Sequence, residues 1–388
     1  MRRMFGSVVA VATVAISVVV VVAPANAATT LKISLFAGNG KQATSGPAGN
    51  GKTATKAEFY NNSDVAFSAS GTAYIADMRD CQVRQVVNGV INAFAGVGTC
   101  VNGGNAGVNA LKGMGGQAAA ATIGMPTGVA VDAAGNVYIA DCVDYTGTGT
   151  GCTQGNVLKV STSGVISIFA GDSTVGNGGT GTATATSIGA PWGVRTNSAG
   201  DVFFSDVVYN VIREVNTSGI MSTVAGNGTA GYTGNGGAAT SAQLDDPTGI
   251  YVDNSGNLFI ADSKNAVIRE VTSSGIISTF AGNGTAGSAG NGGQATAAEL
   301  NKPFGVTEDT SGNVYIADYN AYCVREVSVT GVISTYAGKC GTSGTTVEGG
   351  APSSILLEGP SQVVFDPSGN LYINDYAGEQ IDEIAGAE

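Results

Sequence analysis

The sequence contains no histidine, and this absence excludes more chemistry than any other feature of its composition. Without imidazole there is no Ser-His-Asp or Cys-His nucleophile, no histidine general base and no His-ligated zinc or haem. Any catalysis would have to use carboxylates, Lys, Tyr, Cys or a hard cation. Charged residues are also scarce, at 12% of the chain, and the formal net charge is −12. Since phosphate backbones and anionic lipids repel a negative protein, we expect neither nucleic acid nor a membrane surface as a partner.

The first 27 residues have the pattern of a secretory signal. Two arginines precede an apolar run over residues 8–22, and Ala25-Asn26-Ala27 supplies the small residues that a signal peptidase requires. We predict cleavage after Ala27, which leaves residues 28–388 as a secreted or cell-surface protein. The alternative is an uncleaved signal anchor, although the apolar run is shorter than the ~20 residues that a spanning helix needs.

Beyond this leader, one structural unit recurs six times, and one aspartate marks each copy. The six markers are Asp77, Asp141, Asp206, Asp262, Asp318 and Asp375. Within a copy, short β-rich runs with a two-residue period alternate with turns of Gly, Asn and Ser. In the fourth copy these runs predict strands over residues 249–253, 257–261, 266–271 and 276–281. Each copy is therefore predicted to be a four-stranded antiparallel meander, with no helix longer than about a turn.

The repeat number and the chain ends predict a closed ring. A single meander has two open edges and must bury its faces against other copies, which a radial arrangement achieves. The last copy ends after its third strand, and residues 32–38 match the fourth-strand pattern of residues 277–282. We therefore predict an all-β protein, a six-bladed β-propeller of four-stranded antiparallel blades. In this prediction residues 28–388 form one domain, and the mature N-terminal strand completes the last blade.

The repeated motifs resemble a known family. PxGVAVD, GNxYIAD, NxxIRxV, GxIxTxAG and a loop of the type AGNGxxGxxGNGGxAT look like the NHL-repeat six-bladed propellers of secreted bacterial proteins, over residues 31–385. The resemblance implies a non-catalytic binding or interaction scaffold without a cofactor. Its implied partner is a protein, peptide or glycan, and we expect a monomer. A minority of related propellers are lyases or lactonases, but lyases that use histidine are excluded by the composition.

The six cysteines fall into three local pairs. In an oxidising compartment an even number of cysteines indicates disulfides rather than thiol chemistry. Two pairs join the start of a third strand to the segment after the fourth strand, and one pair brackets an insertion in the second copy. The predicted disulfides are Cys81–Cys100, Cys142–Cys152 and Cys323–Cys340. Other connectivities stay open at the level of sequence.

Two recurring patterns are better explained by structure than by chemistry. A basic residue follows most of the marker aspartates, at Arg84, Lys159, Arg213, Arg269 and Arg325. Because an active site on a ring is normally built once, this recurrence indicates ion pairs within the blades. The glycine strings lack the βαβ context of a dinucleotide fingerprint and the aspartates of calcium repeats. We expect glycine at these positions because the backbone has a positive φ angle or because neighbouring loops approach closely.

Positions where one copy departs from the others predict a ligand site. First strands surround the axis of a propeller, so unusual side chains there face one channel mouth, with aromatic groups for contact and polar groups for orientation. The candidate binding residues are Asp64, Trp192, Arg195, Tyr251, Phe304 and Gln362. The alternative explanation is sequence drift around a plugged channel, because such positions are loosely constrained.

A second functional hypothesis is catalytic. Glu358-Gly359-Pro360 resembles the tripeptide that carries a metal-ligating Glu in the gluconolactonase and regucalcin-like propellers. This resemblance implies calcium or another divalent cation bound by Glu358 with Asp64 or Asn374. The protein would then be a metal-dependent lactonase or lyase that works through carboxylates at the channel mouth.

Overall fold

The described part of the computed structural model consists of six antiparallel sheets, one for each sequence repeat. The structure describes residues 31–388 except 45, 101–110, 144–151, 173, 175 and 347. The predicted signal peptide over residues 1–27 therefore lies outside the described residues. Within the described ranges, no helix is both long and apolar enough to span a bilayer.

The strands follow the predicted order of one blade after another. Ahead of the first blade lies β1 (Ile33–Gly38). Blade one comprises β2 (Lys52–Thr53), β3 (Asn62–Phe67), β4 (Ala73–Asp77), β5 (Gln82–Val87) and β6 (Val90–Ala95). Blade two comprises β7 (Met125–Val131), β8 (Val137–Cys142), β9 (Gly155–Val160) and β10 (Ile166–Ala170). Blade three comprises β11 (Gly181–Thr182), β12 (Pro191–Thr196), β13 (Val202–Asp206), β14 (Val211–Val215) and β15 (Ile220–Ala225).

The second half repeats the pattern more regularly. Blade four comprises β16 (Pro247–Val252), β17 (Leu258–Asp262), β18 (Val267–Val271) and β19 (Ile277–Ala281). Blade five comprises β20 (Pro303–Glu308), β21 (Val314–Asp318), β22 (Cys323–Val327) and β23 (Ile333–Gly338). Blade six comprises β24 (Pro360–Phe365), β25 (Leu371–Asp375) and β26 (Gln380–Ile384), and β1 is its outermost strand. The prediction of six antiparallel blades is confirmed.

The blades are arranged around an axis by their first strands. These inner strands contact one another in the order β3, β7, β12, β16, β20, β24 and back to β3. The outer strand β1 pairs antiparallel with β26, with Ile33 opposite Ile384 and Gly38 opposite Gln380. The ring is therefore continuous among the described residues.

The hydrophobic core is divided into layers between neighbouring blades. One cluster, for example, joins Ile250 and Ile260 of blade four to Phe203 and Ile212 of blade three. Similar clusters lie between the other adjacent blades. Fully burying a side chain such as Ile contributes about 1.5–3 kcal/mol, so each interface stabilises two blades at once.

Short polar turns set the strand boundaries. In blade four the carboxylate of Asp253 accepts hydrogen bonds from the backbone N–H of Ser255 and Asn257, and Gly256 has a φ of 80°. Asp and Asn favour this local bonding, and glycine adopts a positive φ at no steric cost. The described parts of the segments before the inner strands contain single 3-10 turns, such as Ala239–Ser241 and Ala295–Ala297. Others are Ala54–Lys56, Ala118–Ala120, Ala183–Ala185 and Pro352–Ser354, and two more follow second strands at Ser263–Asn265 and Tyr319–Ala321.

Glycine is required where inner strands approach one another around the axis. A Cβ atom on Gly128 would overlap the carbonyl oxygen of Trp192, and one on Gly249 would overlap that of Phe304. Blades one and six carry Asp64 and Gln362 at the equivalent position. These two blades therefore place a polar side chain where the other four blades have glycine.

All three predicted disulfides are present. Cys81 pairs with Cys100, Cys142 with Cys152 and Cys323 with Cys340, and no described cysteine is free. Each disulfide closes a loop within one blade. The insertion between Cys142 and Cys152 lies mostly outside the described residues, at 144–151.

Candidate functional site

Buried ion pairs explain the recurring aspartates in four of the six blades. The pairs are Arg84–Asp77, Arg213–Asp206, Arg269–Asp262 and Arg325–Asp318, all with side chains that are 0% exposed. In blade four the same guanidinium also donates to the carbonyl oxygens of Gln243 and Thr233 and to the side chain of Asn235. The arginine thus ties the long loop before the inner strand to the blade, which is a structural role.

The predicted pairing in blade two is wrong. Leu158, not Lys159, lies at the position of the buried arginines, because Leu158 is opposite Ile139 as Arg213 is opposite Phe204. Successive residues of a strand point to opposite faces, so the one-residue shift turns Lys159 away from Asp141. Lys159 packs over the ring of Tyr138, with its Nζ 5.2 Å from the ring centre. In blade six, Asp382 stands at the arginine position.

Three buried carboxyl groups, those of Asp141, Asp375 and Asp382, consequently lack a basic partner among the described residues. Burial raises the pKa of Asp141 to about 7, although the N–H of Gly124 donates to its carboxylate. Burial also raises the pKa of Asp382 to about 7, and the neighbouring Asp375 adds to this rise. Gln380 and Thr346 donate hydrogen bonds to Asp382.

The structure distributes the six predicted ligand residues over three levels of the channel. Trp192 and Phe304 line a cavity at one mouth, beside the loops that enter the inner strands. Arg195 and Tyr251 line a cavity at the other end of the same strands. Asp64 and Gln362 are 2% and 3% exposed and lie between the two. The six residues therefore do not lie together in a single site.

Asp64 and Arg195 form an ion pair inside the channel. Nη1 of Arg195 lies 2.9 Å from Oδ2 of Asp64. The same carboxylate accepts hydrogen bonds from the N–H groups of Val65 and Val129. Gln362 uses its side-chain oxygen to accept from the N–H of Val363. These polar groups are satisfied by the protein, which is the structure expected of a plug.

The cavity around Arg195 and Tyr251 is acidic. It measures about 510 Å³, and Asp253, Glu308 and Glu388 contribute carboxylates to its lining. Burial and the nearby Asp253 raise the pKa of Glu308 to about 6. Glu388 accepts hydrogen bonds from the backbone and hydroxyl of Thr310. We call this cavity the acidic mouth.

The cavity around Trp192 and Phe304 is larger, and its lining combines apolar and polar side chains. It measures about 770 Å³, within the range of about 300–1,000 Å³ that is typical of ligand pockets. Its apolar lining includes Met78, Met125, Tyr376 and the Cys142–Cys152 disulfide. We call this cavity the aromatic mouth.

Four aromatic rings form a continuous row beside this cavity. The ring centres of Trp192 and Phe304 are 5.7 Å apart with an edge-on geometry. Phe304 is 5.1 Å from Tyr319, and Tyr319 is 6.2 Å from Tyr376. These separations lie in the favourable range for aromatic pairs, so neighbouring rings hold one another in position.

Three cationic side chains line the same cavity. Lys264 lies 3.7 Å from Asp245 and 3.8 Å from Asp246, so its charge is compensated. Lys302 instead packs over two rings, with Nζ 5.1 Å from the centre of Phe304 and 5.6 Å from that of Tyr319. Arg79 lines the cavity and packs over the ring of Tyr60 at 5.5 Å.

Sequence reasoning missed Lys302, Tyr319 and Tyr376, although a sequence signal exists for the two tyrosines. Tyr319 and Tyr376 each directly follow a marker aspartate, and Met78, Cys142 and Val207 occupy that position in other blades and line the cavity. The residue after the aspartate is therefore a second position that varies between blades and faces the mouth.

The residues of the catalytic hypothesis are each engaged with another group of the protein. Glu358 accepts a hydrogen bond from the hydroxyl of Thr345, while Asp64 is paired with Arg195. Asn374 is buried and exchanges hydrogen bonds with Asn62. Each group is thus occupied by a different protein partner. Among the described residues, no group of three His, Cys, Asp or Glu side chains has the arrangement of a metal site.

Comparisons with known proteins agree with this architecture. A model of the teneurin NHL domain matches residues 228–289. No curated protein matches the sequence. A solved structure of a protein of unknown function from Bacteroides thetaiotaomicron is similar over 91% of this chain and 75% of its own, with a TM-score of 0.64 and 17% identity. An auxiliary nutrient binding protein from Bacteroides ovatus is similar over 92% and 76%, with a TM-score of 0.60 and 16% identity.

At such identities the structural likeness concerns the fold alone. The fold is nevertheless specific, because the number of blades, their strand order and the NHL match over blade four and its preceding loop all agree. The chain is a six-bladed β-propeller, and its residues 228–289 are similar to the teneurin NHL domain.

Proposed function

We propose that the protein is a secreted, non-catalytic binding scaffold whose ligand, a protein, peptide or glycan, occupies the aromatic mouth. The observation that carries this proposal is a concave cavity of about 770 Å³ lined by Trp192 and Phe304 at positions where two other blades have Thr127 and Thr248. Large aromatic side chains at one mouth of a rigid ring provide contact area at a low cost in conformational entropy.

Two further observations support the proposal. The blades hold the aromatic row in place through buried cores, so a ligand would meet a preformed surface. The similar structure from Bacteroides ovatus is described as an auxiliary nutrient binding protein, which fits a binding role for this scaffold. Three disulfides fit a protein that works outside the cell.

An array experiment tests the binding role. The protein without residues 1–27 is labelled and applied to arrays of glycans and of peptides, beside Phe304→Leu and Val329→Ala. Val329 is 68% exposed and lies in a turn outside both mouths, so its variant is the matched control. We expect the wild type and Val329→Ala to bind the same array members and Phe304→Leu to lose them. Equal binding by all three proteins would exclude the aromatic mouth.

Export is tested separately. Mass spectrometry of the protein recovered from culture medium should find a chain that begins at Ala28 and contains no free thiol. Retention inside the cell, or six free thiols, would contradict secretion.

A further inference from the structure

The aromatic mouth carries a cation whose charge the protein leaves uncompensated. The described ion pairs include Lys264 with Asp245 and Asp246, but none includes Lys302. Lys302 lies over the faces of Phe304 and Tyr319 and lines the cavity beside them. A ring face attracts a cation but does not neutralise its charge, so an anionic group on a ligand would gain a partner there.

The backbone around this mouth is already hydrogen-bonded, so it offers few groups to a peptide. The hydroxyl of Thr248 donates to the carbonyl oxygen of Phe304, and the hydroxyl of Ser205 donates to that of Thr248. The same kind of bond is made by Ser63 to Pro126, Thr127 to Pro191, Ser263 to Pro303 and Ser361 to Ser63. Peptides are commonly held through free backbone groups of a strand, and these carbonyl oxygens already have partners.

The cavity offers a row of ring faces and edges with Lys302 over two of the rings, while its two carboxylates, Asp245 and Asp246, pair with Lys264. The C–H face of a pyranose ring packs on aromatic rings, and its substituents then lie at the rim of the contact. A carboxylate on such a sugar could reach an ammonium group that stands over the neighbouring ring. The combination therefore fits an acidic sugar better than a neutral one, since only the acidic sugar pairs with Lys302.

We propose that the aromatic mouth recognises a carboxylated sugar, a uronic acid unit, through Trp192 and Phe304 as the stacking surface and Lys302 as the partner of the carboxylate. This inference rests on the proposed function and narrows its ligand to one chemical class. No covalent step is involved, because the role of Lys302 is electrostatic.

Calorimetry with a matched pair of probes tests this inference. Trigalacturonic acid and its fully methyl-esterified form have the same sugar rings and differ in charge. We expect the acid to bind at least about tenfold more tightly than the ester. Raising the salt concentration from about 0.05 M to about 0.5 M should weaken binding of the acid and leave the ester almost unchanged, because salt screens the charge pair.

Three variants assign the effect to residues. Lys302→Met should bind the acid only as well as the ester, whereas Phe304→Leu should weaken both probes. Lys339→Met is the control, because Lys339 is exposed on an outer loop of blade five, and it should bind both probes as the wild type does. Circular dichroism confirms that each variant is folded.

The outcomes separate this inference from the proposed function. Equal affinity for the acid and the ester, or binding of peptides only, would overturn the acidic-sugar inference and leave a binding scaffold. Acid binding that Lys302→Met retains would overturn the role of Lys302. No binding of either probe and no binding on the glycan and peptide arrays would overturn both proposals.

Discussion

Arg195 of blade three reaches across blade two to the carboxylate of Asp64 in blade one. The two side chains are 14% and 3% exposed, and their nearest atoms are 2.9 Å apart. Because Asp64 also accepts from the N–H of Val129, one carboxylate links the inner strands of three consecutive blades. Asp64 and Arg195 are both predicted ligand residues, but in the structure they form an ion pair with each other.

Asp64→Asn should lower the free energy of unfolding by about 3 kcal/mol, because removing one partner of a buried pair leaves the other uncompensated. Urea unfolding measures this change. The double variant Asp64→Asn, Arg195→Met removes both charges and should regain part of the loss. A single variant as stable as the wild type would show that this pair does not hold the inner strands together.

The buried pairs of the blades should behave in the same way. Arg269→Leu alone leaves the buried carboxylate of Asp262 without its cation and should cost about 3–5 kcal/mol in unfolding free energy. Arg269→Leu combined with Asp262→Asn should cost less, because no buried charge is then left without its partner. A double-mutant cycle in urea measures the coupling, and strictly additive losses would contradict a direct pair.

Blade six predicts a pH dependence of stability. The pKa of Asp382 is raised to about 7, whereas an unfolded Asp has a pKa of about 3.9. The folded state therefore binds more protons between these values, so this group's contribution to stability falls as pH rises from about 4 to 7 and is then level. Asp382→Asn should flatten this part of the profile and be more stable than the wild type at pH 8, by roughly 1–2 kcal/mol.

Urea unfolding at several pH values provides the measurement. The control is Ser368→Ala, since Ser368 is exposed in a turn of the same blade, has no ionisable side chain and should leave the slope between pH 5 and 7 unchanged. If Asp382→Asn and the wild type show parallel profiles, the buried carboxyl group is not the source of the dependence.

Much of the fold could be predicted because local chemistry repeats in every blade. Turns such as 254–256 place the strand ends within one or two residues of the observed β16 and β17. The register of β9 could not be predicted in the same way. It follows the Cys142–Cys152 insertion, whose length hides the one-residue offset that puts Leu158 in the core and Lys159 over Tyr138.

The candidate site was only partly predictable. Residues that both differ from the other blades can lie on one strand and still be too far apart along it to share a site. Trp192 and Arg195 are three positions apart, and an extended chain rises about 3.3 Å per residue. Their side chains therefore line different mouths, and the two residues are about 10 Å apart along the axis. The aromatic row also needs Tyr319 and Tyr376, which follow second strands; in the folded ring Tyr319 meets Phe304 and Tyr376 meets Tyr319.

Removal of metal tests the catalytic hypothesis. Glu358, Asp64 and Asn374 each have a protein partner, so we expect the melting temperature to be the same in EDTA and in calcium. Glu358→Gln should behave like the wild type in both, and a screen of lactones should show no hydrolysis. A rise in melting temperature with calcium that Glu358→Gln abolishes would favour the metal-dependent enzyme.

The fluorescence of Trp192 tests the central claim most directly, because it is the single tryptophan of the sequence and lines the aromatic mouth. Trigalacturonic acid, or any array member that binds, should shift the emission of Trp192 with a saturable dependence on concentration and protect it from acrylamide. The same ligand should leave the emission of Phe304→Leu almost unchanged. Saturable binding by calorimetry with no change in the emission or quenching of Trp192 would place the ligand elsewhere and contradict the account.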